Sequence, residues 1–303
     1  MKKVYIIVLN YHGYNDTVEC IKSLLQLNYK NYQIIVVDNS DTKEEFDKFK
    51  INYQNMDFFE EYNIQQSNKK IIFIKALENK GFSTGNNIGI KYAFFNEESD
   101  YIWVLNNDTV VKEDSLTYLV DKMENSPNYV GFLGNKLLYY NSDLLQGLGG
   151  KYNKFIAQST TLGVFEKDKG QYDTDDIKNQ VDYPIGASLF FKKDCLLEVG
   201  LLNETYFLYF EEMDYVLRAK NMGWHFDICY KSKVWHKEGQ STNQDLNIRS
   251  EFVDCINLKN RILFTKRYFI CYLPFVYLSF IPVFFNRILR KRLHIIKAIF
   301  KEC

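Results

Sequence analysis

The feature that most constrains this chain is a repeated pairing in its N-terminal third. Short β-branched runs, KVYIIVLNY, YQIIVVDNS, KIIFIKAL and YIWVLNND, alternate with segments whose apolar residues recur at helical spacing. Val18, Ile21, Leu24 and Leu25 of DTVECIKSLLQLN show that spacing. Strands apolar along their whole length must be covered on both faces. Alternating strands and helices meet that demand as a parallel sheet with crossover helices, so the expected class is α/β. In open sheets of this kind ligands bind beyond the carboxyl ends of the strands. Those ends are Asn10-Tyr11, Asp38-Asn39-Ser40 and Asn106-Asn107-Asp108, and they are expected to share one rim.

The totals agree. With 303 residues, 46% hydrophobic and 25% charged, the chain can bury a large core and is not disordered. The six cysteines form no CxxC pair and no His/Cys cluster with zinc spacing. The opening MKKVYIIVLNYHGYND carries too short an apolar run for a secretory leader, so a reduced cytosolic compartment is expected.

Three groups of residues invite chemistry. Asp108 ends a strand with little Lys or Arg near it in sequence. It can hold a hard divalent cation bridging diphosphate oxygens, or cap the strand as an Asx turn. His236 in VWHKEGQST stands at another strand end, as a mixed-site partner of Asp108 or as a structural histidine. Glu211, Glu212 and Asp214 follow the aromatic run YFLYF. Carboxylates beside apolar rings titrate high, which suits a general base, while acids also stabilise a helix N-terminus. Asp214 and Arg218 are spaced for an ordinary helical ion pair. The glycines of NKGFSTGN fit a phosphate cradle or plain turns, without the GxGxxG or P-loop pattern.

Taken in order, IIVLNYHGYNDTVECIKSLL, IIVVDNSDT, NKGFSTGNNIGI, YIWVLNNDTVV, the long segment from YPIGASLFFKKD to YFEEMDYVLRAKNMGW, and VWHKEGQST resemble the family 2 glycosyltransferases, in particular their bacterial rhamnosyltransferase-like branch, over roughly residues 3–265. The resemblance implies a GT-A fold, a Rossmann-like mixed sheet flanked by helices. It implies that Asn10 and Tyr11 line the nucleotide pocket and that Asp38 accepts a hydrogen bond from a pyrimidine, with Asn39 and Ser40 nearby. Gly81, Phe82 and Asn86 would lie against the nucleotide-sugar. Asn106-Asn107-Asp108 matches the DxD position with Asn first, so that Asp108, with His236, would hold Mn or Mg. Glu212 matches the base of an acidic pair with Glu211, although the family usually has Asp there. Gly186-Ala187-Ser188 matches a loop facing donor and acceptor. The implied reaction is inverting transfer from a nucleotide-diphospho-sugar, dTDP-rhamnose or a UDP-hexose, to a glycan or lipid-linked acceptor. The alternative is a catalytically silent nucleotide-sugar-binding module.

The tail is a different material. From Lys259 onward there are ten Lys/Arg and one acid, and Tyr268–Phe285 is almost unbroken apolar sequence. A transferase domain over 1–258 and a helical tail over 259–303 are expected. Basic residues flank the run on both sides: Arg261, Lys266 and Arg267 before, Arg287, Arg290, Lys291 and Arg292 after. That pattern favours a helix lying on the cytoplasmic face of the membrane over a simple span. Core helices are the other reading. Basic residues interleaved with apolar ones form no polar face, so nucleic acid is not an expected partner.

Overall fold

The computed structural model describes residues 1–95, 98–237 and 251–289. In chain order its elements are β1 (Lys3–Asn10), α1 (Tyr14–Leu25), β2 (Tyr32–Asp38), α2 (Glu44–Asn52), β3 (Asp57–Glu60), β4 (Ile71–Lys75), α3 (Phe82–Phe94), β5 (Ser99–Asn106) and β6 (Thr109–Val111). There follow α4 (Ser115–Glu124), β7 (Val130–Tyr139), β8 (Leu145–Gly147), β9 (Gly150–Asn153), β10 (Gln158–Thr161), β11 (Ser188–Lys192), α5 (Lys193–Val199) and α6 (Glu211–Asn221). The last are β12 (His225–His236), α7 (Glu251–Tyr268) and α8 (Leu273–Leu289).

One large sheet runs β3-β4-β2-β1-β5-β11-β7-β12-β6, with β8 on β7. Its first half is parallel, as the alternation requires. The second half is mixed, because β11 runs antiparallel to β5 and β7 and β6 antiparallel to β12. The two-residue periodicity of β1 sorts its side chains. Val4, Ile6 and Val8 join the core under α1, α2 and α4, and Tyr5, Ile7 and Leu9 join the core under α3, α5 and α6.

Two glycines of NKGFSTGNNIGI serve packing. A Cβ on Gly85 would stand 2.4 Å from Leu9 Cδ1, and one on Gly89 2.6 Å from Ile7 Cγ2. Without side chains there, α3 lies close on β1.

The boundary expected after residue 258 falls inside α7, which crosses it unbroken. α8 folds back on α7: Val276 and Phe280 are buried against Leu258 and Ile262. Arg261 is 2% exposed, donates to Ser279 Oγ (2.7 Å) and stacks its guanidinium 4.5 Å from the Phe280 ring centre. Arg287 pairs with Asp254 through two bonds of 2.6 and 2.7 Å. These two arginines, read in sequence as flanking surface charges, are internal ties. Lys266 and Arg267 remain exposed, and Arg290, Lys291 and Arg292 lie outside the described residues.

Candidate active site

Strand register assembles the rim. Asn10 of β1 is paired with Asp38 of β2, Asp38 with Lys75 of β4, and Leu9 with Asn106 of β5. The polar strand ends expected to come together therefore do so by sheet geometry alone.

The three residues after Leu105 diverge. Asn107 turns back and donates to Thr17 Oγ1 (2.9 Å) on α1, a structural tie. Asn106 and Asp108 turn toward β12, because the β6–β12 ladder sets Thr109 opposite His236. His236 Nε2 lies 3.0 Å from Asp108 Oδ1 and 3.4 Å from Asn106 Nδ2. Gln146 Oε1 lies 2.8 Å from His236 Nδ1. A carbonyl oxygen only accepts, so Nδ1 carries the proton and Nε2 faces the carboxylate. Two acceptors at that distance need a cation, a proton or a metal, between them. Asn106 Oδ1 is buried without a hydrogen-bond partner beside them. A carboxylate, an imidazole and an amide oxygen fit Mn or Mg when diphosphate oxygens complete the shell. Among the described residues no group of three His, Cys, Asp or Glu side chains is arranged to hold a metal ion without further ligands. The part of VWHKEGQST after Lys237 lies outside them.

At the other end of the rim Asp38 is fully buried. Its Oδ1 accepts from Asn10 Nδ2 (2.8 Å) and Ser40 Oγ (2.7 Å), and its Oδ2 lies 3.5 Å from Lys75 Nζ without a hydrogen bond. That oxygen suits an incoming N–H. Lys75 sits at the end of β4 and had no signal of its own in sequence. Asn10 is not a free lining residue: it also donates to Glu45 (2.8 Å) and accepts from Thr17 (2.8 Å), so it knits the rim. Tyr11 is half-buried and donates to Asp41 (3.1 Å). Asn39 Oδ1, Ser83 Oγ and Asn86 Oδ1 are buried without hydrogen-bond partners. Such atoms are costly unless something polar meets them. Gly81 has φ +97°, and a Cβ there would stand 2.3 Å from Phe207 O. That close approach lets Phe82 N donate to Phe207 O (2.7 Å), joining the start of α3 to the turn before α6.

Glu211 and Glu212 open α6. Glu211 is buried and Glu212 half-buried, and each has one oxygen without a hydrogen-bond partner. Burial pushes the Glu212 carboxyl up to about 7. Burial, and then the charge of Glu212, push Glu211 well up. Gly186 faces the pair: a Cβ there would lie 3.6 Å from Glu212 Cδ and 3.7 Å from Glu211 Oε1. The next residue, Ala187, accepts from Asn106 N (2.9 Å), so one short segment links the glutamates to the Asp108 end of the rim.

Two sequence assignments change here. Asp214, grouped with the glutamates, is fully buried and spends its carboxylate on Asn203 (2.9 Å), Arg218 (2.7 Å) and Tyr268 (2.6 Å). Its geometry is that of a structural tie. Ser188, from the segment expected to face donor and acceptor, points into the core. It is fully buried, accepting from Trp103 Nε1 (2.8 Å) and Asn135 Nδ2 (2.7 Å).

Residues 4–137 match the family model described as Glycosyl transferase family 2. The low-salt glycan biosynthesis hexosyltransferase Agl10 of Haloferax volcanii is 23% identical over 87% of this chain and 76% of its own length. Poly-beta-1,6-N-acetyl-D-glucosamine synthase of Staphylococcus aureus is 24% identical over 61% of this chain, which spans only 39% of that relative. GalNAc-T7, solved with UDP, GalNAc and Mn2+, has a TM-score of 0.64 at 14% identity over 91% of this chain and 50% of that one. S. aureus TarS 1–349 has a TM-score of 0.50 at 11% identity, over 86% of this chain and 64% of that one. The solved structures carry the fold, and the fold carries the rim just described. Residues 4–137 thus form a family 2 glycosyltransferase domain, and the fold is of the GT-A class.

Proposed function

We propose that this glycosyltransferase moves a sugar from a nucleotide-diphospho-sugar to a hydroxyl of a glycan or lipid-linked acceptor, in one inverting displacement. The observation that carries this reading is the placement of Glu212. It is half-buried, has a free oxygen, and opens a helix beside Gly186, whose neighbour is bonded to the Asp108 strand. Asp38 Oδ2 would receive an N–H of the pyrimidine. The polar atoms of Asn39, Ser83 and Asn86 supply further contacts for the donor. Asp108, His236 and Asn106 would hold Mn or Mg, which when bound neutralises the leaving diphosphate.

Glu212 accepts the proton of the acceptor hydroxyl. The oxygen forms its bond to the anomeric carbon while the bond to the diphosphate oxygen breaks. The nucleoside diphosphate leaves with its electron pair, and the anomeric configuration inverts. A carboxylate titrating near neutral pH is matched to this task. The relatives are named for glycan biosynthesis, and one solved neighbour holds UDP and Mn2+, which supports a polysaccharide product and a nucleotide-diphospho-sugar donor.

The tail fits a lipid-linked acceptor. Ile270–Leu289 is long and apolar enough to cross a membrane, and Phe275, Leu278, Ile281, Phe285 and Ile288 of α8 are exposed. We place the protein at the cytoplasmic face of the membrane, α8 lying in the interface.

A donor screen tests the core of the proposal. Purified protein is incubated with UDP-glucose, UDP-N-acetylglucosamine or dTDP-rhamnose and Mn or Mg, and released nucleoside diphosphate is measured. Release from one donor, lost with EDTA, is expected; no release from any donor with either metal would overturn the reading.

A further inference from the structure

Two aromatic residues immediately before the catalytic helix are held in a costly conformation. Tyr209 has φ 69° and Phe210 φ 74°, and Phe210 is the N-cap of α6 without a side-chain cap. Left-handed backbone is unfavourable for bulky side chains, and two such residues in succession persist only when the surroundings hold them. The holding group comes from α7. Asn260, 3% exposed, donates its Nδ2 to Leu208 O (2.8 Å) and Tyr209 O (3.1 Å). One buried amide thus serves the two carbonyls just ahead of Phe210. One turn along α7, Phe264 packs 5.3 Å from the Phe210 ring, and Tyr268 donates to Asp214 of α6 (2.6 Å). α7 therefore grips both the turn and the helix that carry Glu211 and Glu212.

We propose that Asn260 is a positioning residue for sugar transfer, holding the 208–210 turn so that Glu212 meets the acceptor hydroxyl. The chain beyond residue 258 then belongs to the catalytic apparatus as well as to any membrane attachment. This rests on the reading of Glu212 as the base. Without the amide the two carbonyls lose their donor, the turn relaxes toward negative φ, and the start of α6 rotates. A misplacement of about 1 Å can cost roughly a hundredfold in rate. Asp38, by contrast, is held from β1 and β4 and not by this turn.

The test uses the full chain with Asn260→Ala and with Asn260→Leu, which keeps the branched shape and cannot donate. Turnover is read with the donor chosen by the screen, and UDP or dTDP binding by calorimetry. The expected result is a kcat at least about tenfold lower in both variants, with donor KM and nucleotide Kd within about twofold of wild type. A kcat within twofold of wild type in Asn260→Leu overturns the proposal. A parallel loss of nucleotide binding and kcat in both variants also overturns it, since that marks a residue needed only for folding. Glu212→Gln is run beside them. Full turnover in Glu212→Gln removes the base assignment, whereas an inactive Glu212→Gln with an active Asn260→Leu removes only the positioning role.

Discussion

Lys75 reaches under Asp38: its ammonium lies 3.5 Å from Asp38 Oδ2, with side-chain exposures of 6% and 0%. The residue that would read the nucleotide base is thus also half of a buried ion pair. Asp38→Ala should cost about 3 kcal/mol of stability, the low end for a broken buried pair, because Lys75 also donates to Ser40 O. Asp38→Asn keeps the shape and should melt nearer wild type while weakening nucleotide binding. Melting curves and calorimetry on the two variants separate the roles; equal melting of Asp38→Ala and wild type would refute the coupling.

Asp108→Ala should abolish metal-dependent turnover while the protein stays folded. His236→Ala should cost less, since water replaces one peripheral ligand. Gln146→Leu leaves both ligands in place but frees the imidazole, and should raise the metal concentration for half-activation by about 10–100-fold. A metal titration of nucleoside diphosphate release checks all three. Unchanged half-activation in Gln146→Leu would show that Gln146 does not orient His236.

The raised Glu212 carboxyl predicts two opposite pH trends. A base must be ionised, so kcat should rise with pH through about 7 and level above it. Folding stability runs the other way. With the folded value above the ordinary 4.5, burial of Glu212 is harmless while both states are protonated and becomes destabilising as pH rises toward 7. Glu212→Gln should therefore be inactive and should melt higher than wild type, by about 2–4 °C at pH 8 and less at pH 5. A melting gain that is larger at pH 5 would contradict the linkage.

Gly81→Ala should damage the donor side. The new Cβ collides with the Phe207 carbonyl, and φ +97° is strained for alanine. The expected loss is about 1–3 kcal/mol of stability together with weaker UDP or dTDP binding. Denaturant melts and calorimetry measure both, and a neutral result would mean that the turn can move away from Phe207.

Full-length protein should sediment with anionic phosphatidylglycerol vesicles at low salt and partly at high salt. Lys266 and Arg267 contribute about 1 kcal/mol each, screened by salt, whereas the apolar face of α8 is unscreened. Replacing Leu278 and Ile281 by Glu should release it, because both side chains are exposed, at 60% and 61%. Wild type left in the supernatant at low salt would defeat the membrane reading. Deletion from Tyr268 is a poorer test, since it removes a partner of Asp214 and uncovers Leu258 and Ile262.

The local code carried the parallel half of the fold. Strands such as Ile34–Val37 are apolar on both faces, α1 shows helical spacing, and a parallel sheet of such strands aligns their carboxyl ends. Hence Asn10, Asp38 and Asn106 could be placed on one rim from the chain alone, and the order of motifs named the family. Sequence could not reveal which way each polar side chain turns. Asn106 faces His236 and Asn107 faces Thr17 because successive residues at a strand end point apart, and only the β6–β12 register decides which faces the site. Nor could it reveal partners distant along the chain. Lys75, Gln146 and Asn260 carry no motif; they meet Asp38, His236 and the 208–210 turn only in the packed fold. The same holds for Asp214 and Arg261, whose charges looked available in sequence and are consumed inside the fold. Sequence periodicity sets which elements form and which faces are buried, since hydrophobic burial depends on local pattern. Burying a polar group instead demands a specific partner at hydrogen-bond distance, and that partner is chosen only when the elements pack.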